Sequence, residues 1–365
     1  MTTRIEYHII QSFAPANLNR DDTGAPKDTV FGGARRGRIS SQSLKRAARI
    51  YMRDRGLVPD SARAWRTKRV IHLLTDALVR RDIPEDQAAQ WAAKAIEAIG
   101  SNKKMKVKDG KTEYLMFIGA AELEKMSDLL AHDISSGATK IDPELESRLS
   151  EVLLERGAGA IDIALFGRML ANLPEGNTDA ACQVAHAIST HRVDREFDYY
   201  TAVDDLQPDD TAGADMIGTI EFNASCYYRY SVIDLDQLAA NLGDRELARK
   251  AVEAYTRAVV EAVPSGKQNT FAAHNPPTTV LITIRHGQAP RNLANAFECP
   301  VPANGTGVVS ESVKRLASYW SRVDAAYGAA AHALVLDISD AFPQGPARQV
   351  PSVDELASAV VATLG

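Results

Sequence analysis

Seven basic residues, Arg35, Arg36, Arg38, Lys45, Arg46, Arg49 and Arg53, fall between Thr29 and Arg53, and no acidic residue lies among them. Nothing in the stretch neutralises this charge locally, so it repels itself until an anion arrives, and a phosphate backbone is an anion that such a run fits. A merely solvated basic face is the plain alternative. The charge is unevenly divided along the chain. Residues 1–55 hold eleven Lys or Arg against five Asp or Glu, while the whole chain carries −5, which leaves −11 for the other 310 residues. Just upstream, Asp21, Asp22 and Asp28 supply carboxylates that beside a phosphate backbone hold a metal or act in acid–base cleavage. Turn chemistry in Asp21-Asp22-Thr23-Gly24 is the simpler account of them.

Other catalytic chemistry is not legible. Gly32-Gly33 and Gly305-Thr306-Gly307 lack the Gly-Lys-Ser/Thr ending of a P-loop, and no Gly-x-Ser-x-Gly elbow occurs. His186 and His191 are five apart, on different faces of either element type, with no carboxylate or cysteine at ligand spacing, so neither a metal nor a cofactor is expected. Cys182, Cys226 and Cys299 are too few and too scattered for a disulfide framework. The chain opens on the alternating run Ile5–Ile10 without a signal core, and no apolar run approaches the roughly 20 residues of a membrane span. A cytoplasmic protein with no membrane partner is expected.

The elements that position the basic run follow from its flanks. Arg4–Ser12 reads as a strand, and Phe13 to Ile39 as a long loop rich in Gly, Pro, Asn and Asp. Ser40 or Ser41 caps a helix to about Asp54, with Leu44, Ala47, Ala48 and Tyr51 on its apolar stripe and Gln42, Lys45 and Arg49 together on another face. Amphipathic helices are expected over Ser61–Arg81, Glu85–Ile99, Ala120–Ile134 and Pro143–Arg156, interrupted by the Lys-dense loop Ser101–Lys111. A buried strand at Cys182–Thr190 and an aromatic-bearing hairpin or loop over Val193–Phe222 follow. Next come a strand at Ile217–Val232, a long helix over Leu235–Val263 and a strand at Thr278–His286. The helices Glu311–Tyr327 and Ser352–Leu364 flank a last strand at Ala333–Ile338. With the helical stretch set aside, the order strand, helix, strand, strand, helix, strand is that of an α+β, ferredoxin-like, RRM-like fold.

Two blocks, Gln11–Asp22 and Arg38–Ala47, resemble the CasC family, the repeated backbone subunit of the type I-E CRISPR complex Cascade. The resemblance continues through Asp162–Met169, Val184–Ala187, Tyr199–Leu206, Gly213–Phe222 and Pro264–Phe271, nearly end to end. It implies a hand-like subunit: palm from residues 1–59 and 182–365, helical fingers over 60–181, and a thumb hairpin at about 193–223. It further implies several copies stacked along a crRNA beside other Cascade subunits. Each thumb would kink the RNA and leave the remaining bases free to pair with target DNA in antiviral defence.

By position, the family's guide-backbone contacts fall on Arg20, Lys27, Ser40, Gln42, Lys45 and Arg49, with Arg38 and Arg46 in the same strip. Phe166 falls at the finger-side contact, and Tyr199, Tyr200, Thr201 and Val203 at the thumb tip. Ala34 departs from the larger apolar residue expected there. Lys103, Lys104, Lys106, Lys108 and Lys111 match no motif and read either as a solvated loop or as a track for target DNA. The expectation is a non-catalytic RNA scaffold. A metal-dependent RNase using the loop Asp residues, and an RNA-binding protein that does not polymerise, stand as alternatives.

Overall fold

The computed structural model describes residues 2–100, 104–155, 159–201, 217–303, 305 and 307–364. In chain order the elements are β1 (Thr3–Ala16), β2 (Asp28–Phe31), β3 (Ala34–Ile39), α1 (Ser41–Asp54), β4 (Ala64–Thr67), α2 (Val70–Val79) and α3 (Glu85–Ala98). They continue with β5 (Val107–Lys108), β6 (Lys111–Thr112), β7 (Met116–Gly119), α4 (Ala120–Ser135), α5 (Pro143–Leu154), α6 (Ile161–Phe166), β8 (Cys182–Val184), β9 (Ala187–Ser189) and β10 (Glu196–Thr201). The last are β11 (Ile217–Asp234), α7 (Leu235–Leu242), α8 (Arg245–Glu261), α9 (Gln268–Phe271), β12 (Thr279–His286), α10 (Val308–Tyr327), β13 (His332–Asp337), β14 (Arg348–Gln349) and α11 (Val353–Ala362). Two compact units result: Met1–Tyr51 with Val184–Val232 and Tyr255–Gly365, and Met52–Gln183 with Ile233–Ala254.

The first unit is built on a large, mostly antiparallel sheet in the order β14-β13-β12-β1-β11-β9-β3-β2, with β10 added on β11. β1 is central, and it is buried on both faces from Ile5 to Gln11. Its register with β12 sets Ile5 opposite Ile284, Tyr7 opposite Ile282 and Ile9 opposite Val280. Ile10, Tyr228, Leu281 and Val335 of the sheet pack against Leu316 and Trp320 of α10. A polar cluster centred on Glu6 is buried with them. The Glu6 carboxylate accepts hydrogen bonds from Tyr230 at 3.0 Å, Thr283 at 2.9 Å, Arg285 Nε at 2.5 Å and the Arg291 N–H. Arg285 in turn pairs with Asp324 at 2.7 Å.

The second unit has its own core, formed by residues such as Leu74, Trp91, Met126 and Leu149 from α2 to α5. Within it Arg168 and Glu122, 3% and 1% exposed, pair at 2.6 Å, and Arg168 also donates to the carbonyls of Leu153 and Gly176. A buried cation is tolerated when its donors are all directed at acceptors in this way. Among the described residues no helix is long and apolar enough to cross a membrane.

Three expectations are corrected. The loop to Ile39 contains a β2–β3 hairpin, because Gly32 and Gly33, at φ 58° and 73°, make the two-residue turn that antiparallel strands favour. The helix expected over Ser61–Arg81 yields its first half to a 3₁₀ turn and to β4, which pairs with β7, and α2 starts only at Val70. The helix expected over Leu235–Val263 divides at the left-handed Gly243 (φ 68°), and Asp244 restarts it by accepting from the N–H groups of Glu246 and Leu247.

Candidate nucleic-acid interface

α1 begins at Ser41 because Ser40 caps it: its side-chain Oγ accepts from the Ser43 N–H at 3.3 Å and its carbonyl from the Leu44 N–H at 3.1 Å. The Ser40 N–H is held by Asn19 Oδ1 at 2.8 Å, and the Ser41 N–H by His186 Nδ1 at 3.0 Å. The helix start is therefore largely occupied by the chain's own acceptors, not by a bare row of amides. Leu44, Ala48 and Met52 are buried and Gln42 and Arg46 are exposed, while Lys45 and Arg49 lie at the flank of the buried stripe and are half-buried. Leu44 and Ala48 are where the helical period placed the apolar stripe, but Ala47 and Tyr51 are only partly buried and Met52 completes the buried face. His186 is one of the residues that sequence reasoning passed over. Burial, then the charges of Arg38 and Lys27, hold its imidazole below its ordinary pKa, so it stays a neutral acceptor for Ser41. Asn19, which holds the Ser40 N–H, also accepts from the Lys27 N–H, and Lys27 from the Arg38 N–H, so both cations lie close to the helix start.

The segment before β2 is tightly built. Arg20 bridges to Pro26 and is exposed; the Lys27 N–H donates to Asn19 O at 2.9 Å, and the Arg38 N–H to Lys27 O at 2.9 Å. Asn17 donates to the carbonyls of Gly24 and Glu221, both at 2.9 Å, which ties the loop to β11. Asp21 is a turn residue: one carboxylate oxygen accepts from the Thr23 hydroxyl at 2.7 Å and from the N–H groups of Thr23 and Ala25 at 2.9 and 3.0 Å. Those hydrogen bonds, led by the Thr23 hydroxyl, keep its pKa below the usual carboxylate value.

The arginines of β3 divide by role. Arg36 is fully buried and donates to the carbonyls of Ser189 (2.9 Å), Phe297 (2.8 Å) and Glu298 (3.0 Å), with its guanidinium 5.8 Å from the Phe31 ring centroid. It is a structural cation. Arg35 is exposed and pairs with Asp28 at 2.8 Å, while half-buried Arg38 reaches the Asp28 carbonyl at 3.3 Å.

β10 and the start of β11 form the expected hairpin, with Phe197 opposite Glu221, Tyr199 opposite Thr219 and Tyr200 opposite Gly218. Phe197, Tyr199 and Tyr200 are 66%, 62% and 45% exposed, unusual for aromatics with no function. Gly218 lies beneath Tyr200: a Cβ there would come 2.3 Å from the tyrosine hydroxyl, so any larger residue would turn the Tyr200 ring aside. Thr201 ends β10, and Val203 lies outside the described residues.

A further segment, part of the block Pro264–Phe271, was given no contact role by the sequence. Around α9, Lys267 and Ala272 both adopt the left-handed conformation (φ 51° and 47°), and Gly266 lies so close to the 17–18 loop that a Cβ would come within 2.3 Å of Leu18 O. Phe271 packs on Phe222 of β11, ring centroids 5.6 Å apart. Two strained non-glycine residues in one short clasp mark a functional position more often than a mere connection.

In the second unit, Phe166 is half-buried, and the side chain that projects there is Met169, 80% exposed beyond the left-handed Gly167. The Lys-dense stretch closes as the β5–β6 hairpin through Asp109-Gly110 (φ 52° and 66°), with Lys108 opposite Lys111. Thr112 donates its N–H to Lys68 O at 2.9 Å, so exposed Lys106, Lys108 and Lys111 lie beside exposed Arg66, Lys68 and Arg69. Lys104 is 3.9 Å from Glu146, and Lys103 lies outside the described residues.

Comparison with known proteins bears on all of this at once: the family described as CT1975-like protein matches residues 5–359. The chain belongs to the CT1975-like family. Two solved structures extend the likeness. A chain of a CRISPR RNA-guided surveillance complex, pre-nicking, is 31% identical at TM-score 0.86, over 99% of this chain and 100% of that one. A chain of a CRISPR RNA-guided surveillance complex is 28% identical at TM-score 0.76, over 99% of each. No curated protein matches. The resemblance to a Cascade backbone subunit read from the sequence is thus borne out.

Within this CT1975-like chain, no three His, Cys, Asp or Glu side chains are grouped so as to hold a metal among the described residues. Of the loop acids, Asp21 serves its turn and Asp28 serves two arginines, Arg35 at 2.8 Å and Arg195 at 2.9 Å. Asp22 is exposed.

Proposed function

We propose that this protein is a non-catalytic, guide-RNA-binding backbone subunit of a CRISPR Cascade complex. In this reading several copies stack along the crRNA, kink it periodically and present its bases to target DNA. The observation that carries it is the linkage, within one unit, of a basic strip and an aromatic hairpin through the loop of residues 17–28. Arg20, Lys27, Arg38, Gln42, Lys45, Arg46 and Arg49 offer sugar-phosphate contacts, with Ser40 as the residue that sets the helix start. A subunit that accepts any guide sequence must bind phosphates and sugars and leave base edges alone. Tyr199 and Tyr200 supply stacking faces that any base can use, worth about 1–3 kcal/mol per base.

The full-length likeness to chains of CRISPR RNA-guided surveillance complexes supports assembly with crRNA and with other Cascade subunits in the cytoplasm. The order β12-β1-β11-β9 supports an RRM-like palm, with the helical unit as fingers and β10–β11 as thumb. Lys267 joins the RNA surface through its clasp on the 17–18 loop. On the finger side Met169 takes the contact that sequence position gave to Phe166, because it is the exposed one of the two. Lys104, Lys106, Lys108 and Lys111, with Arg66, Lys68 and Arg69, form a second anion surface for target DNA.

The engagement of Asp21 and Asp28 by their own neighbours supports a scaffold with no chemistry of its own. The test is to incubate assembled complex with complementary RNA and Mg²⁺ or Mn²⁺. Intact RNA is expected; cleavage at regular intervals that Asp21→Ala, Asp22→Ala or Asp28→Ala abolishes would overturn the reading in favour of an RNase.

A further inference from the structure

Asp28 opens β2, and its side chain faces a place that neither the basic strip nor the thumb occupies alone. Oδ2 accepts from Arg35 at 2.8 Å and from Arg195 twice, at 3.1 Å (Nε) and 2.9 Å (Nη2). Arg195 immediately precedes β10, and its Nη1 reaches Glu221 of β11 at 3.1 Å. Glu221 stands opposite Phe197 in the hairpin register, and its carbonyl accepts from Asn17. The three side chains Asp28, Arg195 and Glu221 are 26–29% exposed, sheltered enough that salt screens them less than a surface pair. Burial pulls the Arg195 pKa down, and the hydrogen bonds and charges of the two carboxylates outweigh it, so the guanidinium ends above its ordinary value.

We propose that Asp28 is the positioning residue of the thumb: the Asp28–Arg195–Glu221 clamp sets the angle at which β10–β11 leaves the sheet, and so where Tyr199 and Tyr200 meet the RNA. This rests on the RNA-scaffold reading above. The chemistry separates a clamp from a ligand. A carboxylate inside a phosphate-binding strip repels phosphate, so Asp28 costs affinity where it stands, and what it contributes in return is geometry. Arg195, with three donors committed to two carboxylates, is part of the frame and not a phosphate contact.

The two roles predict opposite effects. Complexes of the full chain with a mixed-sequence guide RNA, in wild-type, Asp28→Asn, Asp28→Glu and Arg195→Gln forms, would be mapped by 2′-hydroxyl acylation at nucleotide resolution. In wild type, a reactive nucleotide is expected to recur at a fixed interval. Asp28→Asn should bind total RNA as tightly as wild type or more tightly, while the contrast of that repeat falls about fivefold, the size of one lost sheltered ion pair. Arg195→Gln should lose the same contrast, and Asp28→Glu should restore it. Full contrast in a folded Asp28→Asn or Arg195→Gln complex would overturn the clamp and leave the scaffold reading standing. Wild-type RNA with no repeat would overturn both.

Discussion

Lys45 and Arg49 are the residues on which the RNA reading can be tested most simply. They stand four apart on α1, half-buried at the flank of the buried Leu44 and Ala48. Removing both should leave the fold intact and weaken unrelated single-stranded RNAs alike. Each phosphate contact on single strands contributes about 0.7 to the salt slope, so Lys45→Ala with Arg49→Ala should lower it by about 1.4, measured by titration at several salt concentrations. Loss confined to one RNA sequence would contradict backbone recognition. This pair was legible because helical period and charge suffice to find it. Arg36 was not: in the sequence it is one more cation of the run. Its burial depends on three carbonyls contributed by Ser189, Phe297 and Glu298, segments far away along the chain. The capping role of His186 was hidden for the same reason.

At the scale of elements, the β2–β3 hairpin is pinned by Arg36 along its length and by Gly32 at its turn. A Cβ on Gly32 would lie 1.7 Å from Glu298 O, whereas one on Gly33 would meet nothing within 4 Å, although both glycines have positive φ. Gly33→Ala should therefore cost only the conformational strain, about 1–2 kcal/mol, and Gly32→Ala that strain plus a backbone displacement, in all about 3–4 kcal/mol. Urea unfolding of the two variants checks this; equal losses would show that the close approach to Glu298 does not matter. The pair of glycines between Thr-Val-Phe and Ala-Arg-Arg is itself a hairpin signal. It was read as loop because the surrounding Pro, Asn and Asp residues dominate the stretch. The helices α1 and α3 were legible to within a few residues because one buried face specifies each, and β12 because its β-branched run is buried on both faces. β4 was not, because its pairing with β7 outweighs the helix-like pattern around it.

For the molecule as a whole, the buried cluster around Glu6 and His8 ties stability to pH. His8 is wholly buried, and burial above all lowers its pKa to about 4, Glu6 and Asp324 opposing and Arg285 assisting. Its folded value lies below the unfolded one, so the unfolded chain takes up the proton first, and stability is lost as pH falls from about 6.5 to about 4. For Glu6, burial raises the pKa, while the His8 charge, the Arg291 N–H and Arg285 together bring it below its ordinary value. Its contribution is present above the usual carboxylate range and is lost as pH falls through it. Between pH 7.5 and 5.0, His8 alone should remove about 2 kcal/mol of unfolding free energy, and His8→Gln should remove most of that slope. A slope unchanged in His8→Gln would contradict the assignment. The presence of two cores was legible in the change from strand-like to Ala-rich helical sequence. The return of residues 233–254 to the helical unit was not, because it is set by packing such as Asn241 on the carbonyls of Ala164 and Asp179.

The central claim is that the chain holds RNA by its backbone in successive copies. It is tested most directly by the mass of complexes formed on unrelated RNAs of increasing length, with the RNA recovered and sized afterwards. The account predicts masses that rise in steps of one 39.6 kDa chain at a fixed nucleotide interval, the same for every sequence, with all RNA recovered intact. A single copy bound at every length, or copy numbers that follow sequence instead of length, would contradict it.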